Sequence, residues 1–283
     1  MTVNQNNTTI TYLRPAKGLA ALNLRDLWDY RELIYFLTWR DIKVRYKQTI
    51  LGFAWVILQP LIHTLVFTFL FGNLLNVDSN GVPYPIFAFV AILPWNYFAS
   101  SLSRSSTTLV GSANLISKVF FPRMVIPMSG VISGLVDFAV SLVVLVVMMF
   151  IYNITPTLNT LYLPLFLLLA MLTALGFGLW LSALNVRFRD INHLVPFLVE
   201  IWKYITPVIY GSTLIPEKYR FLMGFNPMTG VVEGFRWALL GNNMTDVSAP
   251  GPIFAISVVI TLVVLISGVI FFRNTERTFA DII

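Results

Sequence analysis

The stretch LTWRDIKVRYKQTILGFAWVILQP, residues 37–60, changes character at its midpoint. Its first half carries Arg40, Lys43, Arg45 and Lys47, and its second half opens an apolar run that continues to Phe71. About 20 such residues are what a helix needs to cross a bilayer core about 30 Å thick. Positive charge directly ahead of the run marks a segment held at one face of a membrane. The composition agrees. Of 283 residues, 57% are hydrophobic and 11% charged, with a mean hydropathy of +0.77. A soluble globular chain carries about a quarter charged residues.

Reading outward for further apolar runs gives six expected spans, near 52–71, 85–105, 127–151, 161–184, 195–211 and 253–272. The second is the least apolar, its far half reading SSLSRSSTT, and the fifth is short and contains Glu200 and Lys203. Six crossings put both termini on one side. Fifteen of the 19 basic residues fall in the N-terminal segment, the second-to-third and fourth-to-fifth connections and the tail. The connections 72–84 and 152–160 have none. The positive-inside rule makes the charged face cytoplasmic. The opening residues, MTVNQNNTTI, are polar and show no signal peptide, so the N-terminus is expected in the cytoplasm.

The expected fold is therefore an all-α integral membrane protein in three parts. Residues 1–24 form a polar, flexible N-terminus, 25–51 an amphipathic interface helix, and 52–283 a six-helix transmembrane domain. In the interface helix Trp28, Tyr35, Trp39, Ile42 and Tyr46 fall on one face, at spacings of seven, four, three and four. Asp29, Glu32, Arg40, Lys43 and Lys47 lie on the other. Such a helix lies along the headgroups with its cations near anionic lipid, and the same charges also fix topology. In 212–251 two apolar stretches, near 219–225 and 228–240, are too short to cross and are broken by Asn226-Pro227. They are expected as re-entrant or interfacial half-helices, with Glu233 and Arg236 paired at a spacing of three.

Several chemistries are excluded. There is no cysteine, so disulfides, thiolate metal sites and cysteine nucleophiles are impossible. No glycine-rich loop ending in Lys-Ser or Lys-Thr is present, nor HExxH, nor GxSxG. The net charge of +6 is too thinly spread for a nucleic-acid surface.

Polar residues inside the spans are the next candidates, since an ionisable group there faces protein or water. Ser129, Ser133, Asp137 and Ser141 recur every four residues beside Gly130 and Gly134, and Asp137 is expected as a structural acid bonded to a hydroxyl or an arginine. Ala170, Ala174, Gly178 and Ser182 form a second small-residue stripe, a helix-packing seam. Glu200 and Lys203 are spaced to neutralise each other. His63 is expected as a hydrogen-bonded interior histidine. Trp95, Tyr97, Phe98, Trp202 and Tyr204 offer flat apolar faces suited to sugar rings, or equally to helix packing.

Five stretches then carry a family resemblance, in order: LIYFLTWRDIKVRYKQTILGFAWVILQPLI (33–62), NLISKVFFPRMVIPM (114–128), LNVRFRDINHLVP (184–196), NPMTGVVEGFRWALLG (226–241) and RNTERTFADII (273–283). The chain resembles the permease subunits of bacterial type-2 ABC exporters for polysaccharides and polyol phosphates, among them the O-antigen, capsule and teichoic acid permeases. The resemblance implies a homodimer working with two separate ATPase subunits, which bind the ATP and Mg, and a cytoplasmic-membrane location. It implies a substrate glycan linked to undecaprenyl diphosphate. ATPase docking falls to Asn114, Leu115, Ile116, Ser117, Lys118, Phe120, Phe121, Pro122 and Arg123, with Arg187, Arg189 and Asp190 as a second contact. Phe120-Phe121-Pro122 is expected as exposed apolar material on a cytoplasmic loop, which independently suggests a protein contact. Arg40, Lys43, Arg45 and Lys47 are placed where a diphosphate headgroup enters, the five aromatics just named along the path, and Glu233 and Arg236 at an outer gate. Two other classes stay open at this point: a secondary transporter, and a membrane enzyme acting on lipid-linked sugars.

Overall fold

The computed structural model describes residues 24–47, 52–245 and 249–279, and among them the chain is helical without strands. The polar N-terminus, apart from Leu24, thus lies outside the described residues. So do the last four residues of the interface-helix segment and of the terminal motif. A short α1 (Leu24–Asp29) turns at Tyr30 into α2 (Arg31–Lys47). The first membrane helix, α3 (Gly52–Phe67), contains Pro60 and continues as a wider π-helical stretch, Thr68–Leu74.

Everything else is arranged around α4 (Tyr84–Gly111). Pro83 and Pro85 start it, since proline suits the first turn, where no amide donor is needed. Its first half, Ile86 to Leu93, is buried throughout and forms the centre of the larger apolar core. Its second half is the serine-rich stretch that made this span look weak. Of those serines, Ser101 and Ser105 face glycines of the neighbouring helices α6 (Val125–Ile132), α7 (Gly134–Ile151) and α8 (Leu163–Arg187). Ser101, Ser105 and Ser106 are fully buried. A Cβ on Gly134 would lie 2.6 Å from Ser101 Oγ, and one on Gly178 would lie 2.3 Å from Ser105 Oγ. Small residues on both sides let the backbones approach, so low hydropathy here reflects close packing. Ala170, Ala174, Gly178 and Ser182 are all buried, as expected of a packing seam.

Among the described residues, five helical segments are long and apolar enough to cross a membrane: Ala54–Leu74, Tyr84–Gly111, Val125–Ile151, Leu158–Arg187 and Pro252–Glu276. The last of these is α12. The expected fifth span, 195–211, differs. Its helix, α9 (Ile191–Ile205), starts earlier and has only 15 residues. It stops because Pro207 disfavours helical geometry at the residue before it, and Thr206 is extended at φ −84°, ψ 140°. The following region holds a short α10 (Glu217–Arg220), a 3-10 turn over Phe221–Phe225 and α11 (Pro227–Leu240). The break falls at Asn226-Pro227 as expected. The Asn226 side chain caps α11 by accepting from the Met228 amide at 3.1 Å.

A second, smaller apolar cluster closes one end of the bundle. There Leu37 of α2, Leu109, Ile116, Phe121, Val186, Phe272 and Phe279 pack together. It joins α2, the short α5 (Ala113–Lys118) and the adjoining ends of α4, α8 and α12.

Candidate functional site

The helix α2 is seated on the bundle by polar pairs that repeat once per turn. Asp41 accepts from Ser129 Oγ at 3.2 Å; Arg45 donates to Ser133 Oγ at 3.4 Å and to Asp137 Oδ2 at 2.6 Å. Asp41 and Arg45 are four apart, as are Ser129, Ser133 and Asp137, so two helical stripes meet in register. Asp137 also accepts from Arg104 at 3.2 Å and from the Tyr46 hydroxyl. It is thus the arginine-bonded acid its position suggested. Burial first, and then the bond to Asp137, push the Tyr46 phenol up to about 12.

This seating corrects the expected face of α2. Trp28, Tyr35 and Trp39 do point outward, but they are joined by Phe36 and Val44, and Tyr46 turns in to Asp137. The packed face is Leu33, Ile34, Leu37, Thr38, Asp41 and Arg45. The four cations are also not one cluster. Arg40 pairs with Asp41 at 2.8 Å and Arg45 with Asp137, while Lys43 and Lys47 are exposed.

Between α3, α4, α7 and α9 lies an open cleft of about 330 Å³. Its polar wall comprises Gln59, Asn96, Ser100, Ser103, Asp137 and Ser141. The aromatics expected along a path stand differently. Trp95, Tyr97 and Phe98 are buried, though Tyr97 borders the cleft. Trp95 and Phe98 meet Trp202 at centroid distances of 6.5 and 5.0 Å, and Phe177 meets it at 4.9 Å. These edge-on rings fasten α9 to α4 and α8, so here the packing alternative holds. Asn96, between Trp95 and Tyr97, also lines the cleft, and the aromatic run around it hid it from sequence inspection. Tyr204 is exposed on α9. Glu200 and Lys203 pair at 3.2 Å as their spacing suggested, with the Glu200 side chain 64% exposed. His63 stacks on Phe67 at 6.2 Å instead of taking a hydrogen-bonded interior position.

Beyond the end of α9, the backbone of the following segment is held by α11. Arg236 donates to the backbone oxygens of Val208 and Tyr210, each at 3.0 Å, and to Glu233 at 3.0 Å. Its guanidinium lies 3.8 Å from the Phe87 ring centroid, with the side chain only 1% exposed. Asn226 adds a second tie, accepting from Trp202 Nε1 and donating to Thr206 Oγ1, both at 2.9 Å. The Glu233–Arg236 pair exists, then, but the arginine is a buried brace.

At the opposite end, the connection after α4 presents Asn114, Ser117, Lys118 and Phe120 outward, Phe120 at 73% exposure. Leu115, Pro122 and Arg123 are half-buried. Ile116 and Phe121 point into the smaller apolar cluster, so only one of the two adjacent phenylalanines is surface. The exposed stretch read from Phe120-Phe121-Pro122 is corrected accordingly. Arg187, Arg189 and Asp190 are all exposed in the connection to α9. Among the described residues no group of three or more His, Asp or Glu is placed to hold a metal ion.

Membrane-length helices packed beside a polar cleft make this an integral membrane protein. More narrowly, the chain belongs to the ABC-2 type transporter family, whose model matches residues 32–240. It is 31% identical to the O-antigen export system permease protein RfbA of Klebsiella pneumoniae, over 92% of this chain and 97% of that one. Its identity to the same-named protein of Myxococcus xanthus is 32%, over 91% and 98%. The polysialic acid transport protein KpsM of Escherichia coli is 26% identical, over 84% and 91%.

Proposed function

We propose that this chain is the permease subunit of an ATP-driven exporter in the bacterial inner membrane. Its substrate is an O-antigen or capsule type polysaccharide, carried on undecaprenyl diphosphate from the cytoplasmic to the outer side. The observation that carries this is the match to export permeases along nearly the whole chain. The Glu200 carboxylate adds physical support, because it is exposed on an apolar helix face. A charge there is costly against lipid, so this face borders water or a second copy of the chain.

The working unit in this proposal is a homodimer with two ATPase subunits. The chain has no phosphate-binding loop, so ATP and Mg reside on those partners. With residues 206–211 completing the crossing begun by α9, there are six spans and both termini are cytoplasmic. Lys118 and Phe120 lie on the ATPase docking surface, with Arg187, Arg189 and Asp190 as a second contact. Lys43 and Lys47, with Arg40 and Arg45 behind them, attract the diphosphate headgroup. The α9 face with Tyr204 and the polar cleft border the glycan path, and α11 stands at its outer end.

The test is a gene deletion assayed for surface glycan and for lipid-linked glycan at the inner leaflet. Deletion is expected to abolish the first and accumulate the second. Complementation with Lys43→Gln/Lys47→Gln is expected to restore membrane insertion but not export. Normal surface glycan in the deletion strain would overturn the proposal.

A further inference from the structure

The terminal stretch RNTERTFADII does more than end a membrane helix. After α12 stops at Glu276, the chain turns and brings Phe279 back into the smaller apolar cluster, where it is fully buried. Its ring meets Phe272 at 5.4 Å, and the Arg123 guanidinium lies over it at 5.9 Å. Arg123 and Glu276 hold each other reciprocally. The Arg123 backbone amide donates to Glu276 Oε1 at 3.0 Å, and the Arg123 guanidinium donates to the Glu276 backbone carbonyl. Arg273 approaches the other carboxylate oxygen at 3.5 Å.

This clasp sits directly behind the connection 113–124. The same cluster takes Ile116 and Phe121 from that connection's inner side, leaving Lys118 and Phe120 outside. α5 has six residues, far fewer than the dozen or so a helix needs to persist alone. Its orientation must therefore come from what it rests on. We propose that Glu276 and Phe279 are positioning residues of the ATPase docking site: the C-terminal turn holds the connection 113–124 in the shape its partner recognises. This rests on the assignment of that connection as the docking surface.

The test uses full-length permease in detergent, titrated with its purified, fluorescently labelled cognate ATPase subunit, with thermal unfolding followed in parallel. Glu276→Ala and Phe279→Ala are each expected to weaken binding tenfold or more; the unfolding midpoint stays within a few degrees for Glu276→Ala and falls further for Phe279→Ala, which leaves a cavity in the cluster. Glu276→Gln keeps an oxygen for the Arg123 amide and is expected to bind within about twofold of the unaltered chain. Phe120→Ala is the control for the docking assignment. If Phe120→Ala loses binding while Glu276→Ala and Phe279→Ala retain it, the clasp proposal fails and the docking assignment stands. Unchanged binding by Phe120→Ala defeats the docking assignment itself. A binding loss in Glu276→Ala that is matched by an equal loss of thermal stability also overturns the positioning role.

Discussion

Asp137 of α7 and Arg45 of α2 lie 2.6 Å apart across 92 residues of sequence, and they tie the N-terminal helix to the membrane bundle. Arg104 of α4 shares the same carboxylate oxygen. One partly buried anion therefore serves two guanidiniums and a phenol from two other helices.

Removing that anion should loosen α2. Asp137→Ala takes the shared partner from Arg45 and Arg104, and breaking a buried pair from one side costs about 3 kcal/mol. Thermal unfolding in detergent is expected to shift down accordingly, with faster hydrogen exchange in α2 than in α4. Equal exchange in α2 before and after the substitution would rule out the seating role.

The bond from Tyr46 gives this seat a pH limit. The folded phenol titrates at about 12, while an unfolded tyrosine titrates near about 10. The contribution of Tyr46 is therefore fully present below pH 10 and lost as pH rises through about 12. The difference in tyrosinate absorbance between the protein and Tyr46→Phe should report one group titrating near 12. A midpoint near 10 would show that Tyr46 is neither buried nor bonded.

Arg236 should tolerate no replacement. Arg236→Ala leaves the Val208 and Tyr210 carbonyls unpaired in a buried site, at a cost of about 1–3 kcal/mol for each unsatisfied group. Arg236→Lys cannot reproduce a planar fork that reaches two carbonyls and a carboxylate while stacking on Phe87. Both variants are expected to insert but to unfold at lower temperature, and recovery of full stability by lysine would contradict the brace.

Gly178 marks the closest approach of α8 to α4. A Cβ there would lie 2.3 Å from Ser105 Oγ and 2.8 Å from Ser105 Cβ. Gly178→Ala is expected to destabilise by about 2 kcal/mol through overpacking. Adding Ser105→Ala removes only the nearer atom and should recover part of the loss in a double-mutant cycle. Strict additivity of the two substitutions would mean that the helices do not meet there.

What could be read from sequence divides along the range of the interactions. Five of the six apolar runs, the Gly178 seam and the spacings of Glu200–Lys203 and Glu233–Arg236 are local patterns, and these are present as expected. The end of α9 also had a local signal, Thr206-Pro207, which hydropathy alone overrides. The seat of α2 had none. Asp41 and Arg45 look like ordinary surface charges until Ser129 and Asp137, about 90 residues later, arrive opposite them. Phe121 likewise reads as exposed beside Phe120 until the C-terminal turn supplies the cluster that takes it in.

The brace at the end of α9 has one more implication, for how such a chain can change over time. Arg236 grips main-chain oxygens at positions 208 and 210, not the side chains there. Its hold does not depend on which residues occupy those positions. That grip would therefore survive a change of the partly exposed Tyr210 side chain, whereas Thr206, Val208 and Ile209 are buried and held by their own packing. Freedom to vary at this point of the molecule is confined to the one side chain that reaches the surface.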